Sequence, residues 1–314
     1  MADKTLAEKD KRYHENIFQK TINSFVVGLL IGLSYMPFWI LYGISDFLFL
    51  ILRYGIKYRY KVITDNLKEA FPEKPKQEIS EIRNKFYHNI CDIIFESVKI
   101  YSISEKELEK RLEIKGTESA KLLFEQKRSL IAMAFHYNNW EWTSFAQSKL
   151  EHQILTVYNP IRGNNALEKF LVHNRERWGS KCVPVHKTAR AAMEYQIKGI
   201  PTGLWLAADQ TPPANSKFWT IFLNRETPFF SGPEKLAAKG NLPVYFQHTK
   251  KDGRGRYVIE YSLLCDNPKE MEQKDILLAY IRKCEEIIRA EPAYYLWSHR
   301  RWKHKRPDGI ELTN

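Results

Sequence analysis

A stretch of 28 residues near the amino terminus constrains this chain more than any other feature. Residues 25–52 read FVVGLLIGLSYMPFWILYGISDFLFLIL, and Asp46 is the only charged side chain among them. About 20 apolar residues suffice for a helix to cross a bilayer, whereas a soluble helix of this length normally shows a polar face. The stretch exceeds the apolar region of a signal peptide, and no small-residue cleavage site follows it. A membrane anchor is therefore expected, in one of two forms. Either one helix spans the bilayer, kinked at Pro37, or two shorter helices hinged there lie in the interface. Basic residues flank the stretch on both sides, Lys4 to Lys20 before it and Arg53 to Lys61 after it, so the positive-inside rule leaves orientation open. The second cluster runs without acids up to Asp65, which favours a main domain on the cytoplasmic side. The expected organisation is a basic tail at 1–22, an anchor at 23–56 and one domain at 57–314.

Beyond the anchor, residues 58–112 carry apolar side chains at helical spacing, as at Ile79, Ile82, Phe86, Ile90, Ile93 and Ile94. The pattern then changes to short apolar runs alternating with amphipathic stretches. Strands are predicted at 129–135, 154–158, 182–185, 202–208, 244–248 and 257–263. Helices are predicted at 140–150, 165–178, 189–197, 232–239 and 274–289. This alternation predicts an α/β fold, a mixed sheet flanked by helices. The formal charge of +12 implies an anionic partner: nucleic acid, an anionic membrane, or an acidic substrate or carrier. Cys91, Cys182, Cys265 and Cys284 lie far apart and read as free thiols of a reducing compartment.

The segment SLIAMAFHYNNWEW places His136 just past a buried strand, with Glu141 five residues on. Ligand sites in open α/β sheets collect at the carboxyl ends of strands. A histidine there can take a proton from a hydroxyl, and a nearby carboxylate can fix its tautomer and stabilise the imidazolium. On one continuous helix the two would stand about 140° apart, so a strand-to-helix turn has to bring them together. The bland alternative is a satisfied strand-end histidine, with Asn138 and Glu141 forming a capping box. Arg162 follows the next strand and is a candidate for a phosphate or an oxyanion, with a solvated loop as the alternative. Arg175 and Arg177 sit late in the following helix. One is expected to favour the helix end, the other to face the site. Asp209 and Gln210 end another apolar strand, where Asp209 is expected to pair with an arginine or else belong to a plain turn. Phe229 and Phe230 precede a helix start at Gly232-Pro233 and would line a groove or the core. The run from Trp297 to Arg306 interleaves basic and aromatic residues, which suits an anionic bilayer surface or a nucleic acid. The apolar anchor favours the membrane.

HYNNWE resembles the His-x4-Asp/Glu motif of the glycerolipid acyltransferase superfamily. With YRYKVITDNLKEAFPE, AADQTPPANS, TPFFSGPEKLAAKGNLPV and PAYYLWSHRRWKHKRPDG, the chain resembles the lauroyl/myristoyl, or late, acyltransferases of lipid A biosynthesis over residues 25–309. One departure is that many relatives carry a glycine before Asn-Trp-Glu. The resemblance implies a general base at His136 and an orienting carboxylate at Glu141. It also implies an acyl carrier protein as donor, a hydroxyl of an anionic lipid A precursor as acceptor, the bacterial inner membrane as location, and no metal or dissociable cofactor. Arg162, Arg175, Asp209 and Gln210 are then expected to bind substrate. Two other readings stay open: the same chemistry on a glycolipid, amino-acid lipid or pigment lipid, and a non-enzymatic membrane-surface or nucleic-acid binding protein.

Overall fold

The computed structural model describes residues 14–313, so most of the expected basic tail lies outside the described residues. Helix α1 (Ile17–Ser34) begins earlier than the sequence suggests, because Asn16 and Gln19 form a reciprocal capping box. The apolar run breaks at Pro37, the position expected to kink or hinge it, and Pro37 caps the start of α2 (Phe38–Leu50), which continues as a π-turn over Ile51–Gly55. The anchor region is thus two helices. Helices α3 (Tyr60–Ala70), α4 (Lys76–Lys99) and α5 (Glu105–Glu109) follow.

The α/β part runs β1 (Leu112–Lys115), α6 (Glu118–Glu125), β2 (Leu130–Ala134), a 3-10 segment (Glu141–Lys149), β3 (Gln153–Tyr158), α7 (Asn165–Glu176), β4 (Lys181–Pro184), α8 (Thr188–Ile197) and β5 (Thr202–Ala207). A hairpin of β6 (Trp219–Phe222) and β7 (Arg225–Pro228) precedes α9 (Pro233–Gly240), β8 (Val244–Lys251), β9 (Tyr257–Cys265) and α10 (Gln273–Ala290). The seven-stranded sheet has the order β1-β9-β8-β2-β5-β3-β4, and only the β8–β9 pair is antiparallel. The expected mixed sheet with flanking helices is therefore the fold.

Strand β2 lies at the centre with all five residues buried, as befits a parallel strand covered on both faces. Successive side chains alternate between faces. Ile131 and Met133 enter the larger core with Ile276, Tyr280 and Ile288 of α10, whereas Leu130 and Ala132 enter a smaller one under α6. The parallel register pairs Ala134 of β2 with Ala207 of β5. Two residues beyond each alanine stand His136 and Asp209. Their adjacency is thus fixed by the sheet.

Candidate active site

His136 and Asp209 meet where β2 and β5 end. The Nδ1 of His136 lies 2.8 Å from Asp209 Oδ1, and the His136 backbone N–H donates to Asp209 Oδ2 at 3.0 Å. A carboxylate at Nδ1 selects the tautomer that donates from Nδ1 and leaves a lone pair on Nε2. That nitrogen faces Gln210, whose Nε2 lies 3.1 Å away. Asp209 is 2% exposed. Burial alone would raise its pKa, but the charge of His136 and the hydrogen bonds from it outweigh burial, with help from Arg301, and hold the carboxyl below its usual range. The arginine pairing expected for Asp209 is thus corrected. Its contact partner is the imidazole, and Arg301 acts only through its charge.

Glu141 does not occupy the orienting position. Its carboxylate accepts both Nε and Nη2 of Arg175, at 2.8 and 2.6 Å, and also the indole N–H of Trp140 at 3.1 Å. The turn after β2 carries Glu141 onto the 3-10 segment, within reach of α7. Arg175 arrives there from the last turn of α7. The pair is 11% and 19% exposed. Burial would raise the Glu141 pKa, but Arg175 holds it below the ordinary value. Burial likewise disfavours the guanidinium, yet Glu141 raises the Arg175 pKa further.

The turn between these two pairs is tightly pinned. Asn138 adopts a left-handed backbone and donates from its side chain to Thr249 O. Asn139 donates to the buried carboxylate of Glu96 at 2.7 Å and accepts from Trp142 N–H. Asn139, not Asn138, therefore supplies the side-chain acceptor at the start of the helical segment, one residue ahead of its N-cap Trp140. The backbone of Tyr137 bridges Tyr295, and Leu296 N–H donates to His136 O. This contact comes from the basic end of the chain, which is only partly a surface. Trp297 and Arg301 are buried. Arg301 donates to Pro228 O and rests over Phe229 at 4.4 Å. His299 Nε2 accepts from Thr211 N–H at 3.1 Å, and burial pushes its pKa down to about 4. Arg300, Lys303 and Lys305 stay exposed. The segment read as a basic patch thus braces the site residues from behind through Leu296, His299 and Arg301, none of which was expected to act there.

A cavity of about 510 Å³ opens on the dyad. His136, Glu141, Arg175 and Gln210 line it, with Tyr158, Trp205 and Phe230. Among the described residues that line it, Arg175 is the only arginine or lysine. Arg162 is exposed on the loop after β3 and does not line the cavity, and Arg177 donates to Ile100 O instead of facing the site. Phe229 belongs to the core while Phe230 lines the cavity. An apolar pocket of about 30 Å³ adjoins it and shares Thr143, Ser144, Thr156 and Trp205. The arrangement offers a proton acceptor, a buried anion behind it, a fixed positive charge and an apolar extension.

The chain was compared with known proteins. It is 24% identical over 290 residues to the lipid A biosynthesis lauroyltransferase of Escherichia coli K12, covering 90% of this chain and 92% of that protein. It is 21% identical over 278 residues to a lipid A biosynthesis acyltransferase of Haemophilus influenzae, covering 86% and 84%. The family profile of bacterial lipid A biosynthesis acyltransferases matches residues 8–304. With nearly its whole length matched, this chain belongs to the bacterial lipid A biosynthesis acyltransferase family.

Proposed function

We propose that the protein transfers a fatty acyl chain from acyl carrier protein to a hydroxyl of a lipid A precursor, at the cytoplasmic face of the inner membrane. The observation that carries this reading is the His136–Asp209 pair opening on the large cavity. His136 Nε2 takes the proton of the acceptor hydroxyl as its oxygen attacks the thioester carbonyl. The C–S bond then breaks, and the imidazolium returns its proton to the leaving thiolate, so ester and free thiol form together. Asp209 stabilises the imidazolium between these steps. Gln210 occupies the lone pair at rest and yields it to the incoming hydroxyl. Arg175, held by Glu141, presents positive charge to the developing oxyanion or to an acceptor phosphate. No metal or dissociable cofactor enters this scheme. Arg162 and other surface cations are assigned to the acidic carrier.

The acyl chain is assigned to the large cavity, with its methyl end toward the small apolar extension past Trp205, whose indole N–H is held by Gln247 at 2.5 Å. The test is transfer from acyl carrier proteins of graded chain length to a lipid A precursor, alongside mass spectrometry of lipid A from a deletion strain. Donor-dependent acylation in vitro and lipid A lacking one chain in vivo are expected. Unchanged lipid A would sink the acceptor assignment. In the same assay, Trp205→Ala should shift the preferred donor by about two carbons toward longer chains.

A further inference from the structure

Helix α1 is tied to the α/β domain at both of its ends. At its start, Asn23 Nδ2 donates to Gly163 O at 3.1 Å, and Glu15 accepts from Asn165 N–H at 3.1 Å. At its finish, Lys99 donates to Ser34 O and Met36 O at 2.7 and 2.8 Å, and Ser102 donates to Ser34 O. Eighteen residues of helix measure about 27 Å, so length alone would allow a crossing. The side chains turned toward the domain, at positions 23, 27, 30, 31 and 34, form one helical stripe. It packs on α7 and α4. Both of those helices are rich in charge: α7 carries Glu168, Lys169, Arg175 and Glu176. If α1 crossed a bilayer, α7 would be drawn into hydrocarbon beside it, where its charged side chains are strongly disfavoured.

Helix α2 is tied along its whole length. Tyr42 donates to Glu96, Ser45 to Asp92 at 2.7 Å, and Asp46 pairs with Arg254 at 2.6 Å. Arg53 donates to Asn84 at 2.6 Å. Its buried stripe is Leu41, Ser45 and Phe49. The faces turned away from the domain are apolar on both helices, with Phe25, Leu29, Trp39, Phe47, Leu50 and Tyr54 exposed. Exposed Lys20, Lys57, Arg59 and Lys61 stand near the ends of this surface. Apolar centre, aromatic rings and flanking cations match the interface of an anionic leaflet.

We infer that α1 and α2 lie in the plane of the membrane, their outward faces embedded in the lipids of one leaflet, and that neither helix crosses it. Gly163, which holds α1, follows the cavity-lining residues Tyr158 and Asn159 by a few positions. The leaflet surface thereby runs close to the cavity rim. This inference does not depend on the acyl-transfer reading.

The test is side-specific labelling of the full chain in inverted inner-membrane vesicles with a membrane-impermeant maleimide. In a Cys182→Ser background, Ala7→Cys, Lys305→Cys and Tyr35→Cys, the last in the exposed turn between the two helices, are compared before and after detergent. Equal labelling of all three in sealed vesicles is expected. Protection of position 7 until detergent is added would overturn the inference in favour of one crossing, and protection of position 35 alone in favour of two. In parallel, Phe25→Asp/Phe47→Asp is pelleted with 3:1 phosphatidylethanolamine/phosphatidylglycerol vesicles. At least a tenfold loss of binding, with unchanged far-ultraviolet circular dichroism, is expected. Because both positions are exposed, misfolding would show in that spectrum, and Phe25→Ser/Phe47→Ser then replaces the pair. Undiminished pelleting of a folded variant would overturn the lipid assignment and point to a second copy of the chain on these faces.

Discussion

Two buried carboxylates serve one cavity, Glu141 as part of its lining and Asp209 behind the imidazole of His136, and they are held in different ways. Asp209 is bonded to an imidazole and Glu141 to a guanidinium. Both are kept below the ordinary carboxylate range against the effect of burial. The difference lies in the partner. A guanidinium never gives up its proton in water, so the Glu141–Arg175 pair can supply charge and position but cannot relay a proton. An imidazole gains and loses one near neutral pH. In the proposed reaction, proton transfer therefore falls to the strand-end pair and electrostatic framing to the helical pair.

The sharpest way to break this contrast is His136→Ala. Transfer should fall by about 10⁴-fold in kcat/KM with little change in melting temperature, and near-normal turnover by a folded variant would remove the proton-relay role. Asp209→Asn comes next. It should cost about 10³-fold, mainly in kcat with KM little changed, by favouring the wrong tautomer. Glu141→Ala should behave differently. Its activity loss should be about 10- to 100-fold, but it leaves a guanidinium buried without its anion, at a cost of about 3–5 kcal/mol in urea denaturation. Adding Arg175→Leu should recover much of that stability and none of the activity. Equal stability of Asp209→Asn and Glu141→Ala would erase the distinction.

The smallest effect concerns acid. Both carboxylates are depressed, so their stabilisation is present above the unfolded value near 4 and is lost as pH falls further. His299 is also depressed, to about 4. The unfolded chain binds that proton first, so stability falls as pH drops from about 6.5 toward 4. Protonation would also cost Nε2 its hydrogen bond from Thr211. His299→Gln, which keeps an acceptor, should flatten the slope of the urea midpoint in that window by the equivalent of ~1 kcal/mol or more.

The parts of this fold most legible in the sequence were those that local chemistry decides. Strands β2 and β5 read as apolar runs because parallel strands are covered on both faces, and their ends located His136, Asp209 and Gln210. The partner of His136 was not legible. Glu141 is five residues away in sequence, whereas Asp209 is 73 residues away and adjacent only because β5 lies beside β2 in the sheet. Strand order is a property of crossovers, which no local window contains. The short β1 and the β6–β7 hairpin escaped for another reason. The hairpin turns on Leu223 and Asn224, both with positive φ, so the usual glycine signal is missing. Leu223 is held there by burial in the core. In the carboxyl-terminal run, charge density concealed the burial of Trp297 and Arg301 beside exposed Arg300, Lys303 and Lys305.

One consequence follows from how His136 is tethered. Its amide donates to the Asp209 side chain and its carbonyl accepts from Leu296, so the residue is clamped just past the end of β2 by two other segments of the chain. An amide held in this way exchanges with solvent only when those segments move apart. The His136 amide should thus stay protected for as long as the ends of β2 and β5 and the segment around Leu296 remain docked, and heat that loosens this docking should destroy activity with it.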